Sequence, residues 1–310
     1  MIPREAVVLW GAKNIFTVRD DQGGIHDHLR IKGKLLDIDE DAHNPLAPGD
    51  RVEIGDGGSG YVVQRRLDRR NAVTRWNRKR RRLQTVAANI DRLYVVGNAG
   101  TPRYRPQFVD RVLVMAELGG IDTVIVVNKS DLSLDSDATL HLEILRAAGY
   151  SVISTVSRPP IRVEDLRDDA TGRVTCLLGQ SGVGKSSLIN ALVPEADLRV
   201  GTVSDRYHRG RHTTTMARQV AVSDGSGTVF IDTPGIREFD LFGYDVIQIP
   251  RGFREFRRYT ERCELPDCSH THEPGCALRD AVRTDTRLAR RYRSYLSIVE
   301  DLRVQTGSRR

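Results

Sequence analysis

The nine residues Gly179 to Ser187, GQSGVGKSS, have the types and spacing of a phosphate cradle. In order they are Gly179, Gln180, Ser181, Gly182, Val183, Gly184, Lys185, Ser186 and Ser187, and the whole stretch is assigned to a nucleotide. Backbone N–H groups of a glycine-rich turn and of a helix N-terminus converge on an anion. Three glycines let the chain bend close to phosphate without a Cβ in the way. Lys185 can reach the β- and γ-phosphates, and the Ser186 hydroxyl can ligate Mg²⁺. The motif carries weight only between a strand and a helix. Here the apolar run Val174 to Leu178 precedes it, and the helix-like run Ser186 to Val193 follows until Pro194.

A second constellation, Asn128-Lys129-Ser130-Asp131, ends the strand-like run Val124 to Val127. A carboxylate such as Asp131 accepts from N1–H and the exocyclic amine of guanine, and adenine offers neither. Asn128 helps hold the loop and base, and the Lys129 stem can cover the purine face. Ser154, ending the next strand, is the candidate for a further base-contacting loop. With a phosphate loop in the same chain, these residues point to a guanine nucleotide.

Two further loops complete a triphosphate site. Arg206 to Thr215, RYHRGRHTTT, is polar, basic and glycine-hinged, which suits a switch that closes on Mg²⁺ and the γ-phosphate. Thr214 is the chosen magnesium ligand, with Thr213 and Thr215 as rivals. Asp232-Thr233-Pro234-Gly235 places Asp232 to hold Mg²⁺ through water and the Gly235 N–H to contact the γ-phosphate. A glutamine often follows such a loop to orient water, but this chain has Ile236 there. His212 is the remaining water-positioning candidate. RNA contact by His212, or a group supplied by a partner, would serve the sequence equally.

Three of the four cysteines fall within fourteen residues, in Cys263-x4-Cys268-x-His270-x5-Cys276. Three thiolates and one imidazole form a closed tetrahedral set for one structural Zn²⁺. His272 rivals His270 for the fourth place. Cys176, in the strand entering the phosphate loop, reads as a buried small hydrophobe.

These residues need elements to hold them. Ala6 to Trp10, Ile15 to Arg19, Leu29 to Ile31, Arg51 to Ile54 and Tyr61 to Gln64 are short strand candidates separated by turn signals. Five strands in that length suit an OB-type barrel, and an SH3-like barrel would read much the same. Arg65 to Arg82 follows, with ten Arg or Lys, one acid and an interleaved Trp76. We read it as a basic linker that contacts RNA. From there strands and helices alternate, as in an α/β parallel sheet: strand Leu93 to Val96, helix Phe108 to Leu118, helix Leu140 to Ala148 and strand Val152 to Ser154. Leu288, Tyr292, Tyr295, Leu296 and Val299 have helical spacing near the end, amid arginines. A net charge of +7 favours a polyanionic partner. No apolar run has membrane-spanning length, and Met1 to Trp10 reads as a strand, not a leader, so a cytoplasmic protein is expected.

The guanine reader precedes the phosphate loop, whereas the common order in small GTPases is the reverse. In order, NKSD, GQSGVGKSS, RHTTT, DTPG and the cysteine cluster resemble the bacterial ribosome small subunit-dependent GTPase A family, a circularly permuted GTPase. The resemblance spans nearly the whole chain. It implies a multidomain α/β protein: an OB-type barrel with basic linker (1–83), a circularly permuted P-loop GTPase domain (84–245) and a zinc-binding α-rich domain (246–310). It also implies GTP hydrolysis stimulated by the small ribosomal subunit, a role in late small-subunit maturation, and rRNA binding. The family pattern matches His270 as zinc ligand and His212 as catalytic residue. A monomer without membrane contact is expected. Two other readings remain open: an RNA-binding scaffold holding nucleotide only structurally, and a P-loop kinase, which NKSD and RHTTT disfavour.

Overall fold

The structure is a computed structural model that describes residues 3–12, 14–31, 45–58, 60–78, 81–198 and 216–307. The N-terminal strands are β1 (Arg4–Ala12), β2 (Ile15–Asp20), β3 (Ile25–Leu29), β4 (Arg51–Asp56) and β5 (Tyr61–Arg66). β1 pairs antiparallel with both β2 and β4, β2 with β3, and β4 with β5. A parallel bridge joins Ile31 to Val63. Alternation sets one face of each strand inward, so Ala6, Val8, Phe16, Val18, Val52, Ile54 and Val63 form a small core of their own. The third strand starts earlier than its apolar residues suggested. The Asp20 carboxylate explains this: it accepts from the backbone N–H of Gln22 and Gly24 and starts the ladder at Ile25.

The basic stretch is not a linker. It folds into a hairpin of β6 (Ala72–Asn77) and β7 (Arg82–Ala88). Val73, Val86 and Ala87 enter the main hydrophobic core. Several of its arginines are spent on internal partners. Arg69 grips the fully buried Asp50 with two bonds of 2.7 and 2.8 Å. Arg65 pairs with Glu53, Arg70 with Asp91, and Arg78 with Asp240 and Glu238. Trp76 packs edge-on against Phe242, with ring centroids 5.8 Å apart.

A parallel sheet follows. Its strands are β8 (Arg92–Asn98), β9 (Thr123–Asn128), β10 (Ser151–Ser154), β11 (Val174–Gly179) and β13 (Val229–Asp232). Their spatial order is β10-β9-β8-β11-β13. β12 (Arg218–Ala221) pairs antiparallel with β13 and touches β1 through Trp10 and Arg218. Every residue of β9 is buried because both faces of the sheet are covered. Ile125 and Val127 face the side of α1 (Pro106–Leu118) and α2 (Ser136–Ala147). Val124 and Val126 face the side of α3 (Glu164–Ala170) and α4 (Lys185–Leu192).

The chain ends in short helical turns, α5 (Arg257–Thr260), α6 (Ala277–Val282) and the long α7 (Thr286–Gly307). Leu288, Tyr292, Tyr295 and Val299 are buried as their spacing foretold, and Leu296 stays on the surface. One continuous hydrophobic cluster runs from the β6–β7 hairpin through α1 and α2 to α6 and α7. The core therefore crosses residue 245, where the sequence suggested a boundary. No helix among the described residues is long and apolar enough to cross a membrane.

Candidate nucleotide site

The parallel sheet brings the motifs together. β9, β11 and β13 point the same way, so NKSD, the glycine loop and DTPG all leave the sheet at one edge. Ligands bind outside that edge in open α/β sheets. Cys176 is fully buried inside β11, as expected of a packing residue.

The phosphate loop has the backbone its glycines permit. Gly182 and Gly184 have φ of +83° and +98°, the left-handed region, and Gly184 directly precedes α4. A Cβ on Gly184 would lie 2.3 Å from Asn128 Nδ2. That near-contact joins the guanine loop to the phosphate loop. Asn128, fully buried, donates from Nδ2 to Val183 O at 3.0 Å and to Ser157 Oγ at 3.2 Å. Its Oδ1 accepts from Thr155 Oγ1 at 3.3 Å. Lys129 Nζ donates to Gly182 O at 3.2 Å and to Thr101 O at 2.5 Å, so its stem lies across the gap between the loops. Asp131 is exposed and makes no hydrogen bond among the described residues, which leaves its carboxylate available to a base. Ser130 is anchored by its N–H to Thr155 O at 3.1 Å.

Ser154 ends β10, in register with Val127. The side chains that reach Asn128 from that loop are Thr155 and Ser157, which the sequence reading passed over. The only signal for them was the run Ser-Thr-Val-Ser after a strand.

The phosphate end is polar and largely buried. Lys185 Nζ donates to the carbonyls of Gly179 and Gln180 at 3.0 and 3.2 Å, and burial lowers its pKa from 10.5 to about 8. Ser186 Oγ donates to Asp232 Oδ2 at 2.9 Å. The other carboxylate oxygen, Oδ1, is buried without a partner among the described residues. Burial raises the Asp232 pKa despite the Ser186 hydrogen bond and nearby Lys185. A bare carboxylate oxygen beside a serine hydroxyl is a fit for a hard divalent cation. DTPG is held against the glycine loop: Thr233 Oγ1 donates to Leu177 O at 2.6 Å, and Ile236 N–H to Gly179 O at 3.2 Å. A Cβ on Gly235 would lie 2.5 Å from Ser181 Cα, so only glycine allows this approach. Ile236 is buried in the main core. His212, Thr213, Thr214 and Thr215 lie outside the described residues.

The cysteine cluster forms as spaced. The donor atoms of Cys263, Cys268, His270 and Cys276 lie within 4.8 Å of one another. His270 Nδ1 is 3.4 Å from Cys263 Sγ and 3.5 Å from Cys276 Sγ. His272 faces away, with Nδ1 2.9 Å from the Thr271 hydroxyl. Glu273 accepts from the N–H groups of Ser269, Thr271 and His272, and Tyr292 Oη donates to His270 O at 2.6 Å. These bonds fix the loop that carries the ligand set.

A family model described as RsgA GTPase matches residues 66–242, more than half of the chain. The chain belongs to the RsgA GTPase family. It is therefore a P-loop GTP hydrolase. Among similar proteins is the small ribosomal subunit biogenesis GTPase RsgA of Borrelia recurrentis, 35% identical over 96% of this chain and 94% of that one. The protein of the same description from Chromohalobacter salexigens is 42% identical over 83% of this chain and 75% of its own. Among solved structures, YjeQ from Thermotoga maritima aligns with a TM-score of 0.73 and 27% identity over 97% of this chain and 99% of its own. YloQ, described as a circularly permuted GTPase, shares the fold with a TM-score of 0.69 at 22% identity, over 98% of this chain and 96% of that one. In this RsgA GTPase the altered motif order costs nothing in geometry. The sheet sets which loops are neighbours, and chain order does not.

Proposed function

We propose that the chain hydrolyses GTP to GDP and phosphate as a conformational timer on the maturing small ribosomal subunit, binding its rRNA. The observation that carries this reading is the joining of the guanine loop to the phosphate loop through Asn128 and Lys129. One nucleotide would then meet Asp131 with its base and Lys185 with its phosphates. Gly179 to Ser187 cradles the phosphates through backbone N–H groups, and Gly235 offers its N–H to the γ-phosphate.

Ser186 and Asp232 would hold Mg²⁺, with Thr214 as the third protein group. Bound there, the ion would supply neutralising charge for the β- and γ-phosphates. His212 is assigned to orient the attacking water, since Ile236 is committed to the core. Intrinsic turnover is then slow until the subunit docks and completes the positioning of the water. His212→Ala should retain GTP binding and lose most of the subunit-stimulated turnover. Stimulated turnover at the original rate would remove His212 from the mechanism.

Cys263, Cys268, His270 and Cys276 fit one structural Zn²⁺, four donors with no open position. The N-terminal strands are read as an OB-type barrel. The order β3-β2-β1-β4-β5 and the Ile31–Val63 bridge that returns β5 to the β3 side support this. We retain the partition at 83 and 245 as a division of labour, not of core. Exposed Arg81 and Arg82 on the hairpin are offered to rRNA phosphates, and a cytoplasmic monomer without membrane contact suits such a partner. The test is GTP turnover against small subunits, large subunits and free rRNA. Stimulation by small subunits alone supports the reading; a rate indifferent to all three favours a scaffold that holds nucleotide as a structural ligand.

A further inference from the structure

A cleft of about 550 Å³ opens where α1, the segment after DTPG, the β6–β7 hairpin and α7 meet. Among residues of the glycine loop, Gln180 alone lines it. Its charges do not balance. Arg78 holds Glu238 and Asp240, Arg111 holds Asp301, and Arg290 holds Asp137, which uses every carboxylate on the wall. The side chains of Arg105 and Arg237 are left without a hydrogen bond or ion pair among the described residues. The Arg293 side chain likewise has no hydrogen bond or ion pair among the described residues, and nearby Asp137 is already gripped by Arg290.

Two more features favour an anion here. The first turn of α1 lines the cleft, and that helix start has neither a side-chain cap nor an acidic residue. α2, by contrast, is capped by Asp135. The positive end of the α1 dipole is therefore uncompensated. Gln180 is only 7% exposed, and its side-chain amide has no hydrogen-bond partner among the described residues. Phe108 and Phe239, edge to face at 6.1 Å, add an apolar wall, and the volume suits a small molecule.

We propose that this cleft is a second anion site, taking a small phosphate-bearing ligand that ties α7 to the segment after DTPG. The occupant would touch Arg293 on one side and Arg237 on the other, with Gln180 relaying its presence to the phosphate loop. Position, not chemistry, gives it influence: the wall it grips begins at Arg237, two residues after Gly235. The same phosphate chemistry is found in free metabolites and in an RNA strand, so the test has two arms.

The full chain is saturated with GDP and excess Mg²⁺, which blocks the nucleotide site, and titrated calorimetrically with tripolyphosphate. Tripolyphosphate should still bind. Arg105→Glu combined with Arg293→Glu should weaken it by about tenfold or more while GDP affinity changes by less than about twofold. Arg237→Glu alone should weaken it in the same direction, which guards against a folding defect in the double variant. A short single-stranded RNA that displaces tripolyphosphate, and is sensitive to the same substitutions, assigns the phosphate to RNA. RNA that fails to displace it assigns the site to a free small molecule. No binding to the GDP-saturated chain, or binding indifferent to all three arginines, overturns the proposal.

Discussion

Lys185 shows what the site needs from its ligand. It is buried against two carbonyl oxygens, and loss of water holds its pKa near 8 in the nucleotide-free chain. A phosphate beside it restores the preference for the ammonium form. Between pH 8 and 10.5 the free site is neutral while an unburied lysine would be charged, so binding must take up a proton in that window. Calorimetry at pH 9 in buffers of different ionisation enthalpy should show proton uptake approaching one per nucleotide, and none in Lys185→Met. Gly235 makes a different demand. An added methyl would meet Ser181 backbone, which cannot move aside without moving the phosphate loop. Gly235→Ala should slow turnover by about tenfold or more and also weaken GDP binding, because relieving the clash displaces the phosphate loop. Single-turnover hydrolysis and GDP titration separate the two. At this scale the motif residues were readable because phosphate and guanine each demand fixed residue types. Thr155 and Ser157 were not, since a hydroxyl that braces Asn128 leaves no pattern stronger than two common residues in a loop.

The elements are locked by a buried ionic cluster that no pattern announced. Arg291 of α7, with none of its surface exposed, meets Asp110 of α1 and Glu255, and His141 of α2 donates from Nε2 to the same Asp110 at 2.7 Å. Burial pushes the Asp110 carboxyl up, but Arg291 and His141 outweigh it and hold the pKa at about 2. A lowered carboxylate pKa contributes stability above the unfolded value of 3.8 and loses it as pH falls toward 2. The amount is about 2 kcal/mol, and it should be missing from the acid limb of urea unfolding in Asp110→Asn. Arg291→Met strands two carboxylates in the core and should cost about 3–5 kcal/mol by the same measurement. Helix α7 was visible as an apolar stripe, but a lone arginine within it looked like one more surface charge. The β6–β7 hairpin was misjudged for a related reason. Charge density dominated the reading, while Val73, Val86 and Ala87, the residues that decide its packing, are few and small.

Across the whole molecule, chain order and spatial order part company. The sheet gathers loops from β9, β11 and β13 around one position, and the segment after DTPG then packs against the hairpin and α1 before the chain reaches α7. A change at Gly235 is thus one segment away from the C-terminal region, without a return through the sheet. With Zn²⁺ in the cysteine cluster as proposed, its removal should loosen that region first: a chelator should lower Tm by on the order of 5 °C or more. Protection of α7 amides from exchange should fall before that of β9. Everything above rests on a single guanine nucleotide bridging Asp131 and Lys185. The most direct measurement is the affinity of Asp131→Asn for GTP and for xanthosine triphosphate, whose 2-oxo group accepts where guanine donates. GTP affinity should fall by about a hundredfold or more, and xanthosine triphosphate should become the better ligand. GTP binding at its original strength in that variant would mean that the base is read elsewhere.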